Sequence, residues 1–330
     1  MSTSSSNNRT RRWLVMVDGS AVSGKAFDAC CSFINVQHTK GGIDDLTVMH
    51  GVDPKSDAEK PFHLRGARIL SSYESNFIKA KRNYDASGKG HMETRVISQT
   101  FDGSGPQIPV AQLEWARGAG TTEVAPPIIA SLLEATSKQV HPDFVFMGSF
   151  GTGGKKVGAN GSVTDYLIRL LNSTVCVIKH WRPVPKPEEP ATFVVAVDDS
   201  PASLKSLEQI LVLAKKSDKI VGVTVSRHKG PKDDKIIEEA SKVISAHSGV
   251  DSPHINVSWK PLVEGSGTAA EVLINAGEEL EADYLVIGSV NTAHGAKNRD
   301  NICILGSTAL YVCSHSKCHT IIVKPPVNDD

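Results

Sequence analysis

The sequence predicts an α/β protein made of two tandem three-layer α/β/α domains, each with a parallel sheet covered by helices on both faces. Short apolar runs alternate with segments of helical periodicity, the pattern of strands joined by crossover helices. The second half also repeats the first. Val194–Ser200 (VVAVDDS) follows the pattern of Leu14–Ser20 (LVMVDGS), and Gly306–Lys324 aligns with Gly161–Lys179 without a gap. The repeat is too long for a solenoid unit, so it indicates two copies of one domain.

Composition favours a globular protein with no general affinity for nucleic acid or membranes. The 330 residues are 40% hydrophobic, and 36 Lys and Arg balance 36 Asp and Glu. A balanced chain has no field that draws it onto nucleic acid or anionic lipid, and no apolar run approaches the roughly 18 residues of a membrane span. Six cysteines in a chain of this length do not indicate a disulfide framework. We therefore expect a cytoplasmic protein.

The elements of the first half follow from periodicity and turn residues. The predicted strands are Leu14–Val17, Leu46–Val52, Met92–Ile97, Phe144–Phe146 and Thr174–Ile178. Helical spacing is expected from Ala26 to Ile34, over the polar stretch 64–84, from Pro126 to Gln139, and from Tyr166 to Leu171. Residues 101–124 carry Gly, Pro and Thr signals, which predict a long surface loop.

Three segments are expected to lie outside the two domains. Residues 1–12 are rich in Ser, Asn and Arg, as in an organelle transit peptide, but a strand that begins at Trp13 favours a disordered tail. Residues 181–191 contain four prolines, which exclude an inner strand and predict a stiff, extended linker. The predicted limits are 13–180 for the first domain, 192–325 for the second and 326–330 for a terminal tail.

The glycine-rich segment Met147–Thr164 (MGSFGTGGKKVGANGSVT) lies between a buried strand and a helix. Its glycines permit positive φ and a close approach of a ligand to the main chain. Gly161-Ser162 falls where the helix should begin, and a helix N-terminus offers unpaired N–H groups and a positive dipole end. A glycine loop that leads into such an end is typical of a phosphate site. We therefore expect this loop to hold the phosphates of a nucleotide.

At this point the chain resembles the universal stress protein family, in tandem form. The resemblance rests on Asp18 at the end of the first strand, on His50-Gly51-Val52 in the second, and on a Gly-x2-Gly-x9-Gly-Ser spacing. That spacing is met by Gly148, Gly151, Gly161 and Ser162. The resemblance implies a Rossmann-like, five-strand parallel sheet in the order 3-2-1-4-5, of the adenine nucleotide alpha hydrolase-like type. Nucleotide-binding members of the family hold ATP at the carboxyl ends of strands one and four, as the general rule for open α/β sheets would have it.

The resemblance also implies a site in the first half. The implied contacts to base and ribose are Val17, Asp18, Gly51, Met147 and Gly148. The implied contacts to the phosphates, through N–H and hydroxyl groups, are Gly151, Gly161, Ser162, Val163 and Thr164. The expected ligand is ATP, with AMP or ADP as alternatives and Mg²⁺ recruited by the phosphates. Lys155 and Lys156 could add charge, although loop lysines are more often solvated.

The second half departs from this pattern. Asp198, Gly288, Gly306 and Ser307 persist. Asn291 replaces the second glycine, 14 residues instead of nine precede Gly306, and Ala309 replaces the second hydroxyl. We favour a degenerate half kept for structure, while nucleotide binding there stays an open alternative.

Two other motifs invite different chemistry. Gly19–Ala26 (GSAVSGKA) nearly spells a P-loop, but Ala26 lacks the Mg²⁺-binding hydroxyl. Because Lys205 matches Lys25 without a preceding glycine, we interpret both lysines as exposed positions on the first helix of each copy.

The segment Cys313–His319 (CSHSKCH) resembles a zinc motif. It aligns, however, with the last helix and the start of the last strand of the first half, and it has no second ligand pair.

The expected function is an ATP-binding protein of the stress response, in which nucleotide binding orders the glycine loop and changes a surface for a protein partner. No general base or metal-holding carboxylate stands out, so slow or no hydrolysis is expected. The alternatives are a non-nucleotide scaffold of the same fold, a P-loop-like NTPase or an ATP-pyrophosphate-splitting relative. The resemblance further implies that Thr174–Ile178 pairs with Thr320–Val323 within one chain, or that the chain forms a homodimer.

Overall fold

A computed structural model describes most of both halves of the chain. The described residues are 11–34, 43–52, 58–59, 68–73, 75–76, 91–100, 128–151, 156–157, 160–227, 230–247, 257–265, 267–289 and 305–324. The predicted loop at 101–124, the predicted tail at 326–330 and residues 1–10 lie outside these ranges.

Strands and helices alternate in both halves. The amino-terminal strands are β1 (Arg11–Met16), β2 (Ile43–Val52), β3 (His91–Thr100), β4 (Phe144–Gly148), the short β5 (Lys156–Val157) and β6 (Asn160–Gly161), and β7 (Thr174–Ile178). The amino-terminal helices are α1 (Ala21–Ile34), α2 (Ile128–Val140) and α3 (Ser162–Leu170). The carboxy-terminal strands are β8 (Thr192–Ala196), β9 (Lys219–Ser226), β10 (Val257–Val263), β11 (Tyr284–Gly288) and β12 (His319–Val323). The carboxy-terminal helices are α4 (Pro201–Leu213), α5 (Pro231–His247), α6 (Ala269–Glu279) and α7 (Ser307–His315).

The five strands predicted for the first half are all present, and one boundary needs correction. β1 begins at Arg11, so the predicted tail of residues 1–12 extends two residues too far. Arg11 and Arg12 stand opposite Asp44 and Asp45 of β2, and the Arg12 N–H donates to Asp143 Oδ2 at 2.8 Å. The two arginines therefore join the sheet through main-chain pairing with β2 and the bond from the Arg12 N–H to Asp143. Of the predicted helical stretch 64–84, residues 68–73 and 75–76 are helical.

The main strands form a single sheet of ten, in the order β10-β9-β8-β11-β12-β7-β4-β1-β2-β3. Each half contributes five parallel strands in the order 3-2-1-4-5 of its own count, which confirms the expected topology. β7 and β12 meet antiparallel, with Val175, Cys176 and Val177 opposite Ile322, Ile321 and Thr320. The expected pairing of final strands within one chain is therefore confirmed, and it joins the two sheets edge to edge.

The hydrophobic core is continuous across this junction. Alternate strand residues point to opposite faces, so that Trp13 and Val15 belong to one apolar cluster and Leu14 to the other. Each cluster includes residues of both halves. On the first face, the ring of Phe33 in α1 lies 5.2 Å from that of Tyr284 in β11. A helix of one half therefore packs directly on a strand of the other.

The proline-rich segment at 181–191 is held to the protein along its length. Lys25 in α1 donates to the carbonyl oxygens of His180 and Arg182, and Lys215 donates to Glu189 O at 2.6 Å. Lys25 is partly buried, so its interpretation as an exposed lysine is wrong. The physical reason is that its ammonium group satisfies main-chain carbonyls of the linker.

None of the helices in the described part of the chain is both long enough and apolar enough to cross a membrane.

The shared core generates a prediction for Phe33, which is 5% exposed. We expect Phe33→Ala to lower the free energy of unfolding by about 3–5 kcal/mol, because the lost ring leaves a cavity. Urea unfolding followed by circular dichroism and tryptophan fluorescence should show one transition at a lower midpoint. Two transitions, of which only one moves, would show that the halves unfold independently.

His319, at the start of β12, predicts an acid-sensitive junction. The Lys179 N–H donates to His319 Nδ1 at 3.1 Å, and Nε2 lies 3.0 Å from Pro183 O, so protonation of Nδ1 would break a bond. Burial, followed by the nearby positive charges, lowers the pKa of His319 from 6.5 to about 4. Between these values the unfolded chain binds a proton that the folded chain does not, so stability falls as pH falls from 6.5 to 4.

We expect His319 to lower the free energy of unfolding by on the order of 3 kcal/mol as the pH falls from 6.5 to 4. The measurement is the unfolding free energy of wild type and His319→Gln at several pH values. The difference between the two proteins should shrink as pH falls. A difference that stays constant from pH 7 to 4 would contradict the assignment.

Candidate functional site

The predicted site lies where β1 and β4 end side by side. β1 has β2 on one side and β4 on the other, so this is the point at which the strand order reverses, the usual place for a ligand in such sheets. The end of β1 is held by two hydrogen bonds to β2. Val17 N–H donates to Met49 O at 2.8 Å, and His50 Nδ1 lies 2.6 Å from Val17 O. His50 therefore orients the main chain next to Asp18.

A hydrogen-bond network fixes the turn after β1. Asp18 Oδ1 accepts from the Ser20 N–H at 3.0 Å, and Ser23 Oγ accepts from the Asp18 N–H at 3.2 Å. Ser20 Oγ accepts from the Ser23 N–H at 3.1 Å, as an N-cap side chain does. The same network recurs in the second half through Asp198, Ser200 and Ser203. The Asp-x-Ser-x-x-Ser pattern therefore builds the strand-to-helix turn in both copies.

Gly151 lies against the carboxylate of Asp18, although 133 positions separate them. A Cβ placed on Gly151 would come within 2.1 Å of Asp18 Oδ2. The family resemblance implied a phosphate contact for Gly151. In the structure the first atom in the way of a Cβ is the carboxylate, so the two predicted site residues are brought into direct contact.

Gly148 has a packing role at the end of β4. A Cβ there would lie 3.0 Å from Val22 Cγ1 and 3.3 Å from the Ser23 nitrogen. Gly288 has the same role in the second half, where a Cβ would lie 2.9 Å from the Ser203 nitrogen. Both glycines let the fourth strand approach the first turn of the first helix.

The N-terminus of α3 has no side-chain cap. Its N-cap, Gly161, has extended φ and ψ of −74° and 156° and makes no side-chain capping bond. Gly161 N–H donates to Ser149 O at 2.6 Å, which holds the N-cap beside the end of β4. The orphan N–H groups of the first turn are therefore not satisfied by a capping side chain. Gly306 repeats this arrangement at α7, with its N–H donating to Ser289 O.

The side chain of Thr164 does not fit its predicted role. Its hydroxyl donates to Gly148 O at 2.8 Å and is buried, so the hydroxyl proton is used to tie α3 to β4. The matching residue, Ala309, lacks this bond. Met147 and Val17 are also buried in the core clusters, so these two residues could reach a ligand only through the main chain.

The other predicted residues fall into two groups. Gly51 is buried at the end of β2, while Ser162 and Val163 are partly buried in the first turn of α3. Lys155 and Asn291 lie outside the described residues, and of Lys156 only the main chain is described, paired with Gly161. The structure thus brings together Asp18, Gly151 and the start of α3.

Sequence reasoning missed two buried polar residues beneath this site. Asn160 and Lys179 are both 0% exposed, and Lys179 Nζ donates to Asn160 Oδ1 at 3.1 Å. The sequence could have indicated Asn160, because the alignment of the two halves, extended by one residue, places it opposite Leu305. A polar residue at a position that is apolar in the other copy indicates a special environment.

The zinc-like motif has other partners. His315 stacks on Tyr311, with ring centres 3.9 Å apart, and His319 is held by the two bonds described above. Cys313 and Cys318 are buried thiols, and burial raises the pKa of each. Across the described ranges, no three His, Cys, Asp or Glu side chains converge to hold a metal ion.

A cavity of about 590 Å³ lies between α1 and the helical residues 68–73 and 75–76, next to the turn that follows β1. Its lining includes Gly19, Asp28, Arg68 and Tyr73, and none of the ten predicted site residues. We do not assign the nucleotide to this cavity, because neither Gly151 nor the start of α3 is among the residues that line it.

The packing of the two matched glycines generates a stability prediction. We expect Gly148→Ala and Gly288→Ala each to lower the unfolding free energy by about 1–3 kcal/mol, because the added methyl group overpacks the strand against the helix. The control is Gly265→Ala, where a Cβ meets no atom within 4 Å and the change should stay within about 0.5 kcal/mol. Urea unfolding measures all three. If Gly148→Ala matched the control, the packing role would be wrong.

Comparisons with known proteins agree with this fold. Residues 191–324 match the model of the universal stress protein family, and no curated protein matched the sequence. A putative universal stress protein from Pseudomonas aeruginosa UCBPP-PA14 superposes with a TM-score of 0.50 at 13% identity, over 96% of this chain and 94% of that one. A functionally unknown protein from Pseudomonas aeruginosa PAO1 gives 0.50 at 14% identity, with the same coverage of 96% and 94%.

A universal stress protein family protein from Arabidopsis thaliana, solved with AMP bound, covers 42% of this chain and 95% of its own, at 17% identity and a TM-score of 0.30. The family match lies in the carboxy-terminal half, and the full-length superpositions extend the same fold to both halves. The chain therefore carries a domain of the universal stress protein family at residues 191–324 and has the fold of that family throughout.

Proposed function

We propose that the amino-terminal half binds an adenine nucleotide, with ATP the expected ligand, at the carboxyl ends of β1 and β4. The observation that carries this proposal is the N-terminus of α3, which has no side-chain cap and whose N-cap Gly161 is held beside Ser149, two residues before the contact between Gly151 and Asp18. An uncapped helix end beside a glycine loop attracts phosphate through its N–H groups and dipole. The neighbouring carboxylate is an acceptor for ribose hydroxyls.

The hydrogen bonds of the site indicate which of its groups would contact each part of the nucleotide. Asp18 Oδ1 is engaged by the Ser20 N–H, while Oδ2 faces Gly151, so one oxygen fixes the side chain and the other lies on the side of the glycine loop. The phosphates then fall to the main chain of Gly151, Ser162 and Val163, because the Gly161 N–H is already bound to Ser149 O. Mg²⁺ would enter with the phosphates, which carry most of its ligands in such complexes.

We further propose that binding orders the glycine loop and changes a surface read by a protein partner, with slow or no hydrolysis. Catalysis of phosphoryl transfer needs groups that position water and neutralise charge. In the described part of the site, Asp18 is the carboxylate at hand, and its Oδ1 is committed to the Ser20 N–H. A binding role in the stress response fits this site better than rapid turnover, and a cytoplasmic location remains part of the proposal.

One observation favours a second candidate, a scaffold that binds no nucleotide. Gly148 and Gly161 each have a packing reason, and Gly288 and Gly306 have the same reasons in the half whose glycine pattern is incomplete. Retention of these glycines therefore does not by itself require a ligand. Gly151 separates the two candidates, because its matching position in the second half is Asn291.

The proposal predicts that, of two matched substitutions, only the one in the amino-terminal half weakens ATP binding. Asp18→Asn keeps the Oδ1 acceptor for Ser20 but removes the negative charge, and Asp198→Asn does the same in the second half. We expect Asp18→Asn to weaken ATP binding by about tenfold or more, the loss of one charge-assisted hydrogen bond, and Asp198→Asn to leave it unchanged. Isothermal titration calorimetry with ATP, AMP and GTP measures this. AMP is included because the Arabidopsis protein was solved with it.

Gly151→Val provides a second arm, since its side chain must displace the Asp18 carboxylate. Circular dichroism and urea unfolding verify that each variant folds. Absence of ATP and AMP binding by the wild type would favour the scaffold. An equal loss of ATP affinity in Asp18→Asn and Asp198→Asn would contradict a site in the amino-terminal half alone.

A further inference from the structure

A buried polar network lies directly beneath the start of α3 and crosses between the halves. Lys179, just after β7, donates from Nζ to Asn160 Oδ1 at 3.1 Å and to Cys313 O of α7. Asn160 Nδ2 donates to Cys313 O at 3.4 Å and lies 3.7 Å from Cys313 Sγ. The network therefore connects the residue before the α3 N-cap to a helix of the carboxy-terminal half.

Burial makes these bonds expensive to lose. Asn160, Lys179 and Cys313 are all 0% exposed, and burial lowers the pKa of Lys179. A buried ammonium group needs oxygen acceptors, and a buried amide left unpaired costs its full desolvation. The Asn160 side chain uses its oxygen toward Lys179 and its nitrogen toward Cys313, so its orientation is determined from both ends.

The arrangement is one-sided, although the lysines are symmetric. Lys324 is the counterpart of Lys179 and donates to Ile168 O of α3 at 2.8 Å, so each half sends a buried lysine to the last helix of the other. The counterpart of Asn160 is Leu305, which packs in the apolar core. Lys179 is therefore tied to the residue before the helix N-cap, whereas the side chain of Leu305 offers Lys324 no acceptor.

We propose that Asn160 and Lys179 are positioning residues that fix the first turn of α3 by anchoring it to the carboxy-terminal half. Asn160 immediately precedes Gly161, whose N–H is bound to Ser149 O, and the strand of Asn160 and Gly161 pairs with Lys156 and Val157 on the other side. With its cap held from three directions, the helix presents N–H groups of fixed direction. Such preorganisation raises affinity for an anion because less order is lost on binding.

The effect on affinity depends on the proposed nucleotide function, whereas the anchoring itself can be measured in the ligand-free protein. The test uses Lys179→Met and the matched Lys324→Met. Both remove a buried lysine that bonds a helix carbonyl across the junction, but only Lys179 contacts Asn160. The first readout is NMR-detected exchange of the Gly161 amide, with the Gly306 amide, bound to Ser289 O, as the internal reference.

We expect Lys179→Met to speed exchange at Gly161 by about tenfold relative to Gly306, and Lys324→Met to leave that ratio unchanged. Asn160→Leu, which installs the residue of the other half, should act like Lys179→Met. The double variant should do no more than either single variant, because both remove the same link. Equal exchange ratios in Lys179→Met and Lys324→Met, or additive effects in the double variant, would overturn the anchoring.

The second readout is ATP affinity by calorimetry on the same variants. Lys179→Met and Asn160→Leu should weaken binding by about fivefold or more, and Lys324→Met should retain wild-type affinity. If the wild type binds ATP and Lys179→Met binds equally well, positioning is wrong while the proposed function stands. If the wild type binds neither ATP nor AMP, the proposed function and the affinity part of the inference both fail, and the exchange result alone decides the anchoring.

Discussion

The antiparallel contact of β7 with β12 is the constraint on which the rest of the structure depends. Each half alone would expose its fifth strand as an edge with unpaired N–H and C=O groups. Pairing the two edges removes both at once and makes one ten-stranded sheet. Because the cores on both faces then become continuous, Phe33 packs on Tyr284 and the buried lysines reach helices of the opposite half.

The two copies share a frame and differ at a few positions beside the candidate site. The Asp-x-Ser-x-x-Ser turn, the glycine at the end of the fourth strand and the glycine N-cap recur with the same contacts. Two of the differences set a polar residue in the first copy against an apolar one in the second: Thr164 against Ala309 and Asn160 against Leu305. Both polar side chains hold the start of α3, so these two differences lie where a phosphate would bind.

This comparison separates two reasons for a glycine. At Gly148 and Gly161 the surrounding protein already excludes a side chain, and the matched glycines show that the fold needs them. At Gly151 the nearby atom belongs to the Asp18 carboxylate, a charged group rather than the main chain. A residue kept small beside a charged group at the predicted site points to a ligand more directly than one kept small by packing.

Much of the fold was accessible from the sequence because its causes are local. Apolar runs and helical spacing predicted β1, β2, β3, β4 and β7, since backbone hydrogen bonding sets these periods within a few residues. The internal repeat predicted the second copy, and the family resemblance supplied the strand order and the pairing of the final strands. The start of β1 was misplaced because the main chain of Arg11 and Arg12 pairs with the distant strand β2 and with Asp143, which the local pattern does not show.

By itself, then, the sequence determined the order of elements, the duplication and the position of the glycine loop. The tertiary structure decided that Gly151 meets Asp18, that Thr164 bonds Gly148 O, that Lys25 holds the linker and that Asn160 joins Lys179. The physical reason is distance along the chain. These contacts join residues that only the packing of helices on the sheet brings close together, and no local pattern encodes which buried partner a side chain will find.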